Sequence, residues 1–159
     1  MDWVGHHVDI ANWGMDWDST GPTEIEGEGK YPPRESLWNT ATKYKVTAKY
    51  SGGVEMIIAG GYKEIRNGTK WIGDEGWIWV DRSGLEAHPK NLLKSEIGPN
   101  DIQIPKSIGH YEEFIESVKT RKETLTPARV SIRSATPGWL GQIAMLTKRK
   151  RQMRAPWKL

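Results

Sequence analysis

The chain has 159 residues, of which 36% are hydrophobic and 27% charged, with nine tryptophans and a formal net charge of +3. This length and composition describe one ordinary domain with a real core and exclude a disordered chain. The absence of cysteine excludes disulfides, thiolate catalysis and a cysteine-based zinc centre, and no run approaches the about 20 apolar residues of a membrane span.

The opening segment, DWVGHHVDIANWG, has helical spacing. Asp2, His6, Asp9 and Trp13 fall along one face, and Val4, Val8 and Ala11 form a neighbouring apolar stripe. Asp2 is the expected N-cap and Gly14 the expected stop. Four strand-like runs follow. In residues 23–29 Glu24, Glu26 and Glu28 share one face; in residues 42–50 Lys43, Lys45 and Lys49 oppose Tyr44, Val46, Ala48 and Tyr50. Both are the period-two patterns of half-buried antiparallel strands. A Glu row and a Lys row would pair across adjacent strands, so these two are expected to be neighbours.

Gly52-Gly53 then turns the chain into VEMIIAG. TKWIGDEGWIWVDR reads as a hairpin with its turn at Asp74, Glu75 and Gly76. Its Trp71, Trp77 and Trp79 are expected to pack on the sheet. Pro89, Pro99 and Pro105 punctuate a polar stretch. Residues 110–123 form an amphipathic helix with Tyr111, Phe114, Ile115 and Val118 on one face. Pro127 opens a last helix running to about Lys148, in which Pro137 predicts a kink or break. The closing residues, RAPWKL, are expected to return as an edge strand. The fold class is therefore α+β: a mostly antiparallel sheet with helices covering one face.

No dinucleotide fingerprint is present: Gly27-Glu28-Gly29 runs into Pro32-Pro33, which cannot open a helix in that register. A Walker loop is missing as well. The opening helix is the leading site candidate. A histidine with carboxylates a turn to either side is arranged to handle protons, and nearby carboxylates would raise its pKa. The competing reading is a helix start with favourable acidic charge and two incidental histidines. A metal centre from His6, His7 and Asp9 is disfavoured, because adjacent histidines diverge on a helix and no third ligand follows at useful spacing; no metal is expected. The run KRKRQMR, residues 148–154, suits either nucleic-acid contact or a helix C-terminus. The second reading is preferred, since charge of both signs is spread through most of the chain; neither a nucleic-acid nor a membrane partner is expected.

DWVGHHVDIANWGMDWDSTGPTEIEGEGKYPP resembles the start of the C-terminal domain in bacterial members of the glucose–fructose oxidoreductase/inositol dehydrogenase (Gfo/Idh/MocA) family. GWIWVDRSGLEAHPKNLL is similar to that family's hairpin and following loop, and residues 110–145 to its closing pair of helices. The resemblance spans nearly the whole chain in the family's order. It implies that residues 1–159 are one substrate-side domain of an enzyme that oxidises or reduces a sugar or polyol. NAD or NADP would sit in an N-terminal Rossmann domain outside this chain, with none bound by the chain alone. By the same resemblance Asp2 and His6 correspond to the catalytic carboxylate and acid/base, and His7 and Asp9 to substrate-binding positions. Homo-oligomers through the exposed sheet face are implied too. Two positions depart from the family: Ile132 stands where many relatives have histidine, and Gly138-Trp139 replaces a pair often given as Cys-His.

Two functions are thus expected to compete. One is the substrate-binding half of an NAD(P)-dependent oxidoreductase, inactive alone. The other is a stand-alone, non-catalytic carbohydrate-binding or dimerisation module. The opening turn is acidic and histidine-rich, unlike a secretory leader, and the expected location is the cytoplasm.

Overall fold

The computed structural model describes residues 3–153. Strands β1 (Glu24–Lys30), β2 (Lys43–Lys49) and β3 (Glu55–Gly60) form one sheet, ordered β3-β2-β1-β7, with the two-residue β7 (Arg151–Gln152) at its edge. Glu24 faces Lys49 and Glu28 faces Lys45 across β1 and β2, so the acidic and basic rows meet as cross-strand partners. Lys49 Nζ lies 3.4 Å from Glu24 and 3.5 Å from Glu55. The opposite face carries Ile25, Val46, Ala48 and Ile58, all buried. Gly52 and Gly53, with φ of 83° and 81°, carry β2 into β3 through a backbone region that L side chains resist.

The second sheet is ordered β4-β5-β6, from β4 (Thr69–Gly73), β5 (Gly76–Asp81) and β6 (Gly84–His88). β4 and β5 make the expected hairpin, but its loop is only Asp74-Glu75, because Gly76 already pairs with Gly73. Trp79 is 4% exposed; its indole N–H donates to the Asn67 carbonyl at 3.1 Å, and the Arg66 guanidinium stacks 3.2 Å from a ring centroid. The Trp71 ring lies against the backbone of Gly14. Trp79 is thus buried in the second sheet as expected, whereas Trp71 packs from that sheet against helix α1.

Helix α1 (Val4–Met15) and helix α3 (Ala128–Thr147) pack on each other, and α3 lies over β1 and β2. α1 also reaches β4, where the Thr69 hydroxyl donates to the His7 carbonyl at 3.0 Å. The shared core holds Val4, Val8, Ile25, Val46, Ala48, Tyr50, Ile58 and Met145, with Trp17 stacked on Tyr50 at 3.9 Å. Burial pushes the Tyr50 phenol far above its usual range. The result is an α+β domain with two antiparallel sheets joined by a helical layer.

Several local expectations are corrected. The N-cap of α1 is Trp3 rather than Asp2, which lies outside the described residues. Gly14 does not stop the helix. It ends at Asp16, in the left-handed region at φ 54°, with its N–H directed to the Asn12 and Trp13 carbonyls; Asp enters that region more cheaply than most residues. Pro137 does not break α3: the helix runs through it, and the ring is fully buried. Packing there outweighs the missing hydrogen bond. RAPWKL lies at positions 154–159, outside the described residues, and the edge strand seen is Arg151–Gln152, paired with Ile25 and Glu24.

Helix α2 (His110–Thr120) forms as expected, but its apolar face is uncovered. Tyr111, Phe114, Ile115 and Val118 are 48–73% exposed. The helical cover over the sheet is thus α1 and α3. The basic run after α3 also takes a role of its own: Lys150 Nζ lies 2.7 Å from Glu24 and 3.8 Å from Glu26, neutralising the acidic row of β1.

Candidate active site at the start of the first helix

Residues 3–7 open α1, and their spacing places Trp3, His6 and His7 on the side away from the buried Val4 and Val8. The β5–β6 turn supplies the facing wall. Together Trp3, His6, His7, Asn67, Asp81 and Arg82 line a cavity of about 350 Å³. The His6 and His7 rings lie 5.4 Å apart; Trp3 meets His6 edge-on at 5.7 Å and stacks on His7 at 6.0 Å. The Arg82 guanidinium lies 5.5 Å from the Trp3 ring. Two imidazoles, a carboxylate and a guanidinium converging beside an aromatic ring can bind a hydroxylated ligand and move a proton.

The histidines are not equivalent. His6 is exposed, whereas His7 is half-buried. Burial holds the His7 pKa below its ordinary value, the charge of His6 adds to this, and Asp81 opposes it. Asp81 is itself held in its ionised form. The Ser83 hydroxyl and backbone N–H both donate to its Oδ1, at 2.5 and 2.6 Å, and lower its pKa. The Asp-Arg-Ser-Gly turn that aims Asp81 and Arg82 was not singled out in the sequence. Its signal was the aspartate two residues before a serine, which closes its own turn by hydrogen bonds.

Of the residues expected at the site, His6 and His7 come together in this cavity. Asp9 does not join them there. Its Oδ1 accepts a hydrogen bond from the Ser134 hydroxyl of α3 at 2.5 Å, beside Asp18, whose carboxyl is raised by burial and by the charges of Asp9 and Asp16. That contact ties α1 to α3. Asp2 lies outside the described residues.

Among the described residues every strand pair is antiparallel, so they contain no parallel strand–helix–strand unit ending in a phosphate-binding turn. Among the described residues no three His, Asp or Glu side chains converge as a metal site, and no helix is long and apolar enough to cross a membrane.

The class that this fold defines is an α+β domain whose two antiparallel sheets share a helical layer. It occurs as about half of longer solved proteins. Over 96% of its length the chain is similar to yvaA of Bacillus subtilis, provisionally described as an oxidoreductase, with 16% identity and a TM-score of 0.59, covering 51% of that protein. It is similar over the same share to an NAD-binding protein from Listeria innocua, with 12% identity and a TM-score of 0.57, covering 50% of that chain. Identity this low establishes a common fold alone. Neither a protein-family model nor a curated protein matches the sequence.

Proposed function

We propose that this chain is the substrate-side half of a sugar or polyol oxidoreductase of the Gfo/Idh/MocA type, with His6 as the group that moves the hydroxyl proton. The observation that carries this reading is the pairing of His6 and His7 in one cavity with Asp81 and Arg82. The common fold with half of an NAD-binding protein supports it. In this reading NAD or NADP is held by the other half of the intact protein.

The exposed His6 imidazole accepts the proton of a substrate hydroxyl. His7, kept largely neutral by burial, hydrogen-bonds a second hydroxyl, and Arg82 and Asp81 fix the ligand from the opposite wall. By the family resemblance, Asp2 is the carboxylate partner of His6. Asp9 acts from behind, holding α1 against α3 through Ser134. The outward sheet face, with Glu rows on β1, Lys rows on β2 and a 58% exposed Ile57 on β3, is self-complementary and suits a second copy of the chain. An Ile57→Asp chain that sediments as the wild type does would remove that face from the assembly.

The deciding experiment is nicotinamide-linked turnover of a sugar and polyol panel by the intact protein carrying His6→Gln. A loss of about 10²–10⁴-fold with an unchanged circular dichroism spectrum is expected; unchanged turnover overturns the role. Sequencing the gene upstream of the Met1 codon tests the other half. An in-frame strand, glycine-rich loop and helix support the reading. A stop codon there turns the search to a separate partner chain, and failure to find one leaves the carbohydrate-binding module.

A further inference from the structure

Helix α2 is turned against the usual rule that an apolar stripe faces its own domain. Tyr111, Phe114, Ile115 and Val118 recur at i, i+3, i+4 and i+7, which sets them on one stripe, and all four are exposed. The less exposed positions of the helix are Glu113 and Ser117, on the opposite side. Glu113 is held there, where its carboxylate accepts the Ile108 N–H at 3.2 Å. The packing that builds the domain joins α1, α3 and the strands, and α2 takes no comparable part in it. The extended segment before the helix adds Ile104 and Ile108, which are exposed as well.

The charges beside the stripe select its occupant. Glu112 and Lys119 stand about two helical turns apart and so flank the stripe along the same edge. Among the described residues neither forms an ion pair. When two copies of α2 lie antiparallel about a two-fold axis between Phe114 and Ile115, Tyr111 meets Val118 of the second copy and Phe114 meets its Ile115. The same axis sets Glu112 beside Lys119 of the second copy, and Lys119 beside its Glu112. One helix thus carries both halves of an isologous contact. A parallel pair would set Glu112 against Glu112 and Lys119 against Lys119, which repel. A membrane surface matches poorly, because interfacial helices are rich in Lys and Arg on their polar face. The polar positions of α2 carry Glu112, Glu113 and Glu116 against Lys119 alone.

We propose that α2 is a self-association site for a second copy of this chain, paired antiparallel through Phe114 and Ile115, with Glu112 and Lys119 exchanged across the axis. It is separate from the β1–β3 sheet face and does not depend on the reading of His6. Four side chains of one 11-residue helix, extended by Ile104 and Ile108, cover less than the about 800 Å² per partner of a standard interface. The contact is therefore weak, with a dissociation constant of about 10⁻⁴ M. At micromolar concentration the stripe is open, and toward millimolar it is covered.

The test uses the 159-residue chain carrying Ile57→Asp, so that pairing through the sheet face does not contribute. The sequence has no cysteine, and single cysteines therefore report the geometry without background. In the two-fold pair the two copies of residue 115 are offset by ~1.5 Å along the axis, and those of residue 111 or 118 by ~10.5 Å, beyond the reach of a disulfide. At roughly 500 µM under mild oxidation, Ile115→Cys should form a covalent dimer. Tyr111→Cys and Val118→Cys should each stay single alone and link when mixed. Without cysteines, the chain should sediment as a monomer at about 5 µM and largely as a dimer at about 500 µM, and Phe114→Asp should abolish the dimer. Glu112→Lys should weaken pairing by about threefold to tenfold, and adding Lys119→Glu should restore it. Every substituted side chain is exposed, so circular dichroism should match the wild type throughout. A monomer at about 500 µM overturns the site, as does a dimer that Phe114→Asp leaves intact. Self-linking of Tyr111→Cys as fast as that of Ile115→Cys overturns the antiparallel axis, and failure of Lys119→Glu to rescue Glu112→Lys overturns the charge exchange.

Discussion

His7 links the candidate site to the stability of the fold. Its folded-state pKa lies below the ordinary 6.5, with burial as the largest cause, so the folded protein binds this proton less readily than the unfolded chain. The resulting stability is present above about pH 6.5 and is lost as the pH falls through the lower folded value. Urea midpoints measured from pH 7.5 down to 5 should therefore fall less steeply for His7→Gln than for the wild type, and parallel curves would remove this role. Trp79 tests packing at the same scale. It is buried, donates to Asn67 and carries Arg66 on its ring, so Trp79→Ala should cost about 3–5 kcal/mol in urea unfolding. A loss under about 1 kcal/mol would mean that the second sheet is not held by this ring.

At the scale of elements, two glycines within helices give opposite predictions. Ala is usually preferred to Gly inside a helix by up to ~1 kcal/mol. Gly5 meets nothing within 4 Å, so Gly5→Ala should raise the unfolding free energy from urea titration by up to ~1 kcal/mol. At Gly141 a Cβ would stand 2.6 Å from Val46 Cγ2 and 2.7 Å from its Cγ1, and Val46 is fully buried. Overpacking there costs about 1–3 kcal/mol, which exceeds the propensity gain, and Gly141→Ala should destabilise. Equal effects at the two positions would refute the close approach of α3 to β2. The same approach explains why α3 passes through Pro137. The ring is buried beside Gly138 at the contact with α1, and tertiary packing holds a turn that an isolated peptide would lose.

For the whole molecule, the uncovered face of α2 is the most informative surface. Tyr111, Phe114, Ile115 and Val118 are far more exposed than a helix stripe packed on its own domain would be. Phe114→Asp should therefore change the stability of this chain by less than about 0.5 kcal/mol, while lowering its binding of a hydrophobic dye. A loss of several kcal/mol would place α2 against the domain in solution. The chain also spans about half the length of the solved proteins it is similar to, so its surface is to be compared with half of a longer molecule.

What could be read before folding rests on residues close together in the chain. Alternation in residues 23–29 and 42–50 gave two strands, and their opposite charge rows gave the pairing, since cross-strand partners sense one another's charge directly. The Gly52-Gly53 turn, the tryptophan hairpin, the helix at 110–120 and the α+β class follow from the same local rules. His6 could be named because helical spacing sets carboxylates near it in the sequence, and His7 because the family resemblance marks its position. Asp81 and Arg82, more than 70 residues away in the chain, could not, since nothing local tells which turn will face α1. Asp9 shows the reverse: helical spacing sets it beside His6, yet the packing of α3 brings Ser134 to its carboxylate. Lys150 belonged to a basic run that spacing left ambiguous, and the return of β7 beside β1 delivered it to Glu24. Periodicity and turn chemistry are local and survive in the sequence; the partners of a side chain depend on how distant elements close on one another, and only the packed core decides that.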